Sequence, residues 1–163
     1  MVFADRSEAG RQLGTHLAGY RTSDTVVVGL ARGGVAVAAP VADALGAPLD
    51  ALVVRKIAHP NQPELAIGAI AEGGAAVRAE DLPARFGVDA DAFAAAKHRA
   101  QTELDDRVTR VRLAHPPVAV AGRTVVLVDD GIATGATAQA AVAAMRRRAA
   151  ARVVLAVPVA ARD

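Results

Sequence analysis

Thr124-Val125-Val126-Leu127-Val128-Asp129-Asp130-Gly131-Ile132-Ala133-Thr134-Gly135-Ala136-Thr137 holds the pattern that decides the architecture of this chain. The apolar run Val125 to Val128 reads as a buried strand. It ends in two adjacent carboxylates, Asp129 and Asp130, and passes through a loop of small and hydroxylated residues. An Ala-rich segment with helical character follows, expected from about Thr137 to Ala149. Free backbone N–H groups at such a helix start, together with the helix dipole, favour an anion. Ionised carboxylates only accept hydrogen bonds, so the acid pair matches the two hydroxyls of a sugar diol. An ordinary strand-to-helix turn with an acidic cap is the competing reading. Two acids at a buried strand end are costly without donors, which argues against it.

Working outward, residues 6–20 have amphipathic spacing and predict an opening helix. Thr25 to Leu30 is a β-branched strand, Ala31-Arg32-Gly33-Gly34 a turn, and Val35 to Leu45 a helix stopped by Gly46. Pro40 inside that helix predicts a kink or a late start. Leu49 to Arg55 is a second strand, and Pro60 and Pro63 make residues 57–65 read as an irregular loop. Ala66 to Ala71 and Ala75 to Arg78 flank Glu72-Gly73-Gly74 as a hairpin. Asp89 to Arg112 is a long charged helix with Phe93, Leu104 and Val108 inward; Asp105, Asp106, Arg107, Arg110 and Arg112 form an expected solvated face. Pro116 and Pro117 end it, and Arg152 to Val159 is the last strand. Strands alternating with helices predict one α/β domain, residues 1–163, with a central parallel sheet flanked by helices. Ligands of such sheets bind beyond the carboxyl ends of strands, where both glycine-containing turns fall.

Composition excludes several classes. The chain has no cysteine, so disulfides, thiolate metal sites and a cysteine nucleophile are out. Its most apolar stretch, Gly33 to Ala42, is far short of the roughly 20 residues of a membrane span. The N-terminus lacks the pattern of a signal peptide, and a cytoplasmic protein with no membrane partner is expected. The pI of about 9.7 accompanies a net charge of only +2. With Tyr20, Phe3, Phe86 and Phe93 as its whole aromatic content, the chain offers few stacking platforms for nucleic acid.

Two further segments join the opening stretch. Gly131 and Gly135 are too close for a P-loop and no Lys follows; Ala31-Arg32-Gly33-Gly34 lacks the dinucleotide fingerprint. Adjacent glycines before a helix let backbone amides approach a second anion, and Arg32 adds a charge-assisted bond. A plain tight turn is the alternative there. Arg55-Lys56 sets two cations at a strand end beside the proline-bearing loop; as a surface pair they would carry no function.

Together these segments resemble the type I phosphoribosyltransferase family, from about Asp5 to Val159. The Val125–Thr137 stretch is similar to that family's motif for phosphoribosyl pyrophosphate (PRPP). The run Val54-Arg55-Lys56, then Pro60 to Ala69, resembles a bacterial subgroup of uncharacterised members, some fused to hydrolase domains. The resemblance implies an α/β fold with a small N-terminal and hairpin hood. It implies that Asp129 and Asp130 hold the ribose hydroxyls, that Ala133, Thr134, Gly135, Ala136 and Thr137 cradle the 5′-phosphate, and that Gly131 also binds PRPP. Arg32, Gly33 and Gly34 match the pyrophosphate loop, which in this family often has a cis peptide beside the Arg position. Lys56 and the loop after it match a mobile segment that closes over the reaction, and Arg55 is implied as a further PRPP-binding residue. Subgroup members usually continue several dozen residues past the strand ending near Val159, with a tail that helps form the hood over the acceptor.

The implied reaction moves the 5-phosphoribosyl group from PRPP to a nitrogenous base or related nucleophile with release of pyrophosphate. Asp130, Lys56 and Arg32 are the catalytic candidates, and Mg²⁺ is the implied cofactor, contacted by Asp130 through water. His59 is a weak base candidate, expected to be exposed like His16, His98 and His115. The rival reading is a PRPP- or nucleotide-sensing regulator with Arg146-Arg147-Arg148 on nucleic acid, or a PRPP-binding subunit of a larger enzyme. Cations at a helix C-terminus explain those arginines without nucleic acid. A homodimer fits either reading.

Overall fold

The structure, a computed structural model, describes residues 3–79 and 86–160. In chain order it runs α1 (Arg6–His16), a 3-10 turn (Ala18–Tyr20), β1 (Thr25–Ala31), α2 (Gly33–Leu45), β2 (Leu49–His59), β3 (Gln62–Ala71) and β4 (Ala75–Arg78). Then come α3 (Ala90–Ala114), β5 (Thr124–Val128), α4 (Ala136–Arg147) and β6 (Arg152–Ala156). The strands form one six-stranded sheet in the order β4-β3-β2-β1-β5-β6. The expected parallel core is β2-β1-β5-β6, and β3 and β4 extend it as antiparallel neighbours.

Alternation sets the two layers. Val26, Val28, Leu30, Val125 and Leu127 face α4, meeting Ala140, Ala141, Ala144 and Met145. Val27, Val126 and Val128 face α2 through Val37, Val41 and Leu45. On that same side Val53 and Ile57 of β2 pack with Ala96, Ala100 and Leu104 of α3. β1 is central, and its first six residues are buried, as a run without alternation requires. No helix among the described residues is long and apolar enough to cross a membrane.

Three expectations need correction. Residues 57–65 are not an irregular loop: β2 continues to His59 and β3 begins at Gln62, leaving only Pro60-Asn61 as the turn. The register slips between Ile57 and His59, with Ala58 opposite Ala66 and His59 opposite Gln62. Pro63 lies in that slipped segment, where its missing N–H breaks no regular ladder. Second, α2 starts at Gly33 and runs through Pro40, so the proline forces no late start. α1 packs there with glycines facing it; a Cβ on Gly10 would lie 2.9 Å from Pro40 Cγ. Third, β6 stops at Ala156, three residues early, and Ile132 and Ala160 form an isolated parallel bridge beyond it.

Candidate functional site

β1 sends the chain to β2 on one side, while β5 arrives on its other side, so the strand order reverses between β1 and β5. An open α/β sheet has its crevice beyond the strand ends at such a point. The crevice here has a volume of about 290 Å³. It is lined by Ala31, Arg32, Gly33, Val54, Lys56, Asp129, Asp130, Gly131, Ile132, Ala133, Thr134, Gly135, Thr137 and Ala138. Three segments far apart in sequence therefore meet at one place. Gly34 and Ala136 lie just behind the lining, both buried.

Packing explains the glycine pair of the β1–α2 turn. A Cβ on Gly33 would come within 2.5 Å of Asp130 Cγ and 3.0 Å of its Oδ1. One on Gly34 would lie 2.6 Å from the Val128 carbonyl oxygen and 2.9 Å from Asp129 Cα. The turn thus presses against the acid pair, and only residues without a side chain permit it. The Ala31–Arg32 peptide is cis, at the position where the resemblance implied one. Gly135 precedes α4 with φ +76°, a left-handed conformation that favours glycine.

The helix starts sort into two kinds. Asp5 caps α1 by accepting from Glu8 N at 2.7 Å, and Asp89 caps α3 by accepting from Ala92 N at 2.8 Å. α2 and α4 have no side-chain cap. Those two bare starts both open on the crevice, so orphan N–H groups and positive dipole ends are directed at it. The missing caps leave donors for a ligand anion at each end of the acid pair.

The acids differ from one another. Asp129 is half-buried, and its carboxyl pKa is pushed up to about 6, first by burial and also by the neighbouring Asp130 charge. The Asp130 N–H, donating to Asp129 Oδ1 at 2.9 Å, and the Lys56 charge act in the opposite direction. Asp130 is more open, and Arg6 donates to its Oδ2 from Nη2 at 2.8 Å and Nε at 3.2 Å. Arg6 is a site residue that the sequence reading missed. Its only signal was a cation next to a helix cap, 124 residues from its partner.

Arg55 is not in the crevice. Neighbouring residues of a strand point to opposite faces, so Lys56 faces the α4 side and Arg55 the α3 side, where it pairs with Glu103. Arg32 borders both regions. His59 is buried rather than exposed: Nδ1 accepts from Asn61 N at 3.1 Å, and Nε2–H donates to the Phe86 carbonyl at 3.2 Å. Both nitrogens are engaged, which removes it as a base. Arg112 does not belong to a solvated face; it donates to Glu72 at 2.6 Å and Asp50 at 2.7 Å beneath the sheet. Arg148 donates to the Val118 carbonyl at 2.9 Å, so that arginine of the 146–148 run has an internal task.

Comparison with known proteins agrees with this geometry. A family model described as phosphoribosyl transferase domain matches residues 8–163. A Mycobacterium tuberculosis protein provisionally named a phosphoribosyl transferase is 49% identical over 158 residues, 97% of this chain and 36% of that protein. This chain thus spans about a third of the length of the curated relatives it matches. The crystal structure of a Thermus thermophilus protein is similar with a TM-score of 0.78 at 44% identity, covering 98% of this chain and 76% of that one. A purine phosphoribosyltransferase from Pyrococcus horikoshii shares the fold alone, with a TM-score of 0.56 at 16% identity over 96% of this chain and 74% of that one.

Proposed function

We propose a function from one premise: this chain belongs to the phosphoribosyl transferase domain family. It binds PRPP with Mg²⁺ and passes the 5-phosphoribosyl group to a nitrogenous base or related nucleophile, releasing pyrophosphate. The observation that carries this reading is the pair of uncapped helix starts, α2 and α4, facing one crevice with two carboxylates between them. A ligand with an anion at each end and a diol in the middle answers all three features.

In this reading the α4 start, with Ala133 to Thr137, takes the 5′-phosphate through backbone N–H groups and the hydroxyls of Thr134 and Thr137. Asp129 and Asp130 accept from the ribose hydroxyls. The α2 start, with Gly33, Gly34 and Arg32, takes the pyrophosphate, and Lys56 adds charge from the β2 side. The nucleophile forms a bond to C1 as the C1–oxygen bond to pyrophosphate breaks, with inversion. An oxocarbenium-like transition state leaves positioning and charge stabilisation as the chain's main contributions. Lys56 and Arg32 stabilise the negative charge that builds on the leaving group.

The residues present fit Mg²⁺. No group of three or more His, Asp or Glu able to hold a metal occurs among the described residues. Mg²⁺ needs no such cage, because it keeps waters and takes substrate phosphate oxygens beside one or two carboxylates. Asp130, with its Oδ1 accepting from no protein donor among the described residues, would hold it through water. When bound, the ion neutralises pyrophosphate charge. In this reading the chain acts as one domain on small molecules in the cytoplasm; the sequence has no cysteine, and no helix among the described residues is long and apolar enough to cross a membrane.

Calorimetric titration with PRPP and Mg²⁺ tests the binding half, and absence of heat at millimolar ligand would sink it. Pyrophosphate release with a panel of purines, pyrimidines and small amines tests transfer. Asp130→Asn should reduce that release by about a hundredfold or more, the scale of a lost transition-state contact. Unchanged release would remove Asp130 from the mechanism.

A further inference from the structure

Beyond Arg32, on the α3 side of the sheet, lies a second cleft with a volume of about 620 Å³. It runs between the start of α2 and the C-terminal half of α3, over Arg55 of β2. Arg32, Arg55, Arg107 and Arg110 face two carboxylates there, Glu103 and Asp106. Among the described residues Arg55 is the one cleft arginine paired with a carboxylate, Glu103. Among the described residues Arg32, Arg107 and Arg110 have no carboxylate within 4.0 Å, and Arg110 Nε donates to the Asp106 carbonyl of its own helix at 3.2 Å.

These charges act on one another. Burial, and then the charges of Arg32, Arg55 and Arg110, lower the Arg107 pKa. Converging like charges destabilise a fold unless an anion joins them. Arg112, two positions beyond Arg110 on the same helix, shows what a structural arginine looks like here: two carboxylates and two carbonyls occupy its donors. Among the described residues Arg32, Arg107 and Arg110 have no carboxylate partner of this kind, and their planar forks suit phosphate oxygens.

We propose that this cleft is a second anion site, adjoining the crevice at Arg32, that binds a phosphate or diphosphate group through Arg107 and Arg110. The two unbalanced positive charges match a dianion, and the volume accommodates either free diphosphate or the diphosphate of a nucleotide.

The test is calorimetry of the full chain at low ionic strength without Mg²⁺, using inorganic pyrophosphate in one arm and a nucleoside diphosphate in the other. Wild-type protein should bind two pyrophosphates. Arg107→Gln/Arg110→Gln should weaken one of those sites by about tenfold or more, the scale of lost charge-assisted bonds. Glu103→Gln should tighten the same site several-fold, which a misfolded variant would not do. Equal affinity in the two arms identifies the diphosphate alone as the ligand; tighter binding of the nucleotide shows that its nucleoside is also held. Two sites unchanged in the double variant, or no binding by wild type at millimolar ligand, overturns the proposal. A single site lost in Lys56→Gln and kept in Arg107→Gln/Arg110→Gln also overturns it, while leaving the PRPP reading intact. The reverse pattern supports the cleft and counts against the crevice.

Discussion

Asp50 and Asp129 sit at opposite ends of the parallel strands, and the chain treats them differently. Asp50, at the start of β2, has a side chain only 1% exposed. It accepts from Arg112 at 2.7 Å, from Ala51 N at 2.8 Å and from Val118 N at 3.2 Å, with Arg148 3.7 Å away. Burial opposes the Arg112 charge, yet the bonds it donates to Glu72 and Asp50 raise its pKa above the ordinary value. Asp129, just past β5, has one donor among the described residues, its neighbour's N–H, and its pKa is raised to about 6. One acid brings its own cation from the fold, and the other is left short of donors beside a crevice. The second arrangement costs stability and is what a ligand site requires.

The sharpest way to break this contrast is Arg112→Ala. It would strand Asp50 and Glu72 without their cation, and loss of one partner of a buried pair costs about 3–5 kcal/mol. Urea denaturation should show a lowered midpoint with an unchanged slope. A loss below about 1 kcal/mol would mean that Asp50 is not held as described. Gly33→Ala comes next. Its new methyl would overlap the Asp130 carboxylate, and overpacking of this kind costs about 1–3 kcal/mol. PRPP affinity should fall with it, because the carboxylate has to move; an unchanged titration would detach the glycine turn from the acid pair.

How much of this was legible in the sequence follows from the same physics. The strand, the acid pair and the small-residue loop could be read because their signals are local and contiguous. The division between Lys56 and Arg55 was also implicit in strand alternation, but treating the two as a cationic pair hid it. Arg112 lies eight residues after Leu104 and four after Val108, on the inward stripe of α3, so periodicity pointed inside while charge suggested solvent. The β2–β3 hairpin was obscured by Pro60 and Pro63, whose turn and slipped-register positions only pairing reveals. The contact of Arg6 with Asp130 joins distant residues, and no local pattern encodes it.

Asp129→Asn gives a smaller effect with a definite sign. A carboxyl whose folded pKa lies above its unfolded value of 3.8 favours folding while protonated, and that contribution is lost as pH rises through about 6. The amide removes the cost of the charge, so the variant should be more stable than wild type at pH 8 and nearly equal at pH 4. A shift of this size in a half-buried, partly screened group corresponds to about 1 kcal/mol. Thermal melts at the two pH values measure it. A destabilised variant at pH 8 would show that Asp129 is satisfied by the fold, as Asp50 is.

The smallest effect is expected from Arg6→Ala. Arg6 and Asp130 form an ion pair at 2.8 Å, nearly as close as the 2.7 Å of Arg112 with Asp50, but their side chains are 61% and 36% exposed. Solvent and salt screen such pairs, which contribute about 0.2–1 kcal/mol. Removing Arg6 should therefore lower stability by less than about 1 kcal/mol, and added salt should shrink the difference further. The loss in Arg112→Ala should hardly respond to salt, because its partners are buried. The two salt titrations together separate an exchangeable partner from a fixed one. Were Arg6→Ala to cost as much as Arg112→Ala, Asp130 would be pinned by the fold as firmly as Asp50. It could not then turn from Arg6 to an incoming ligand, and the distinction between the two ends of the sheet would fail.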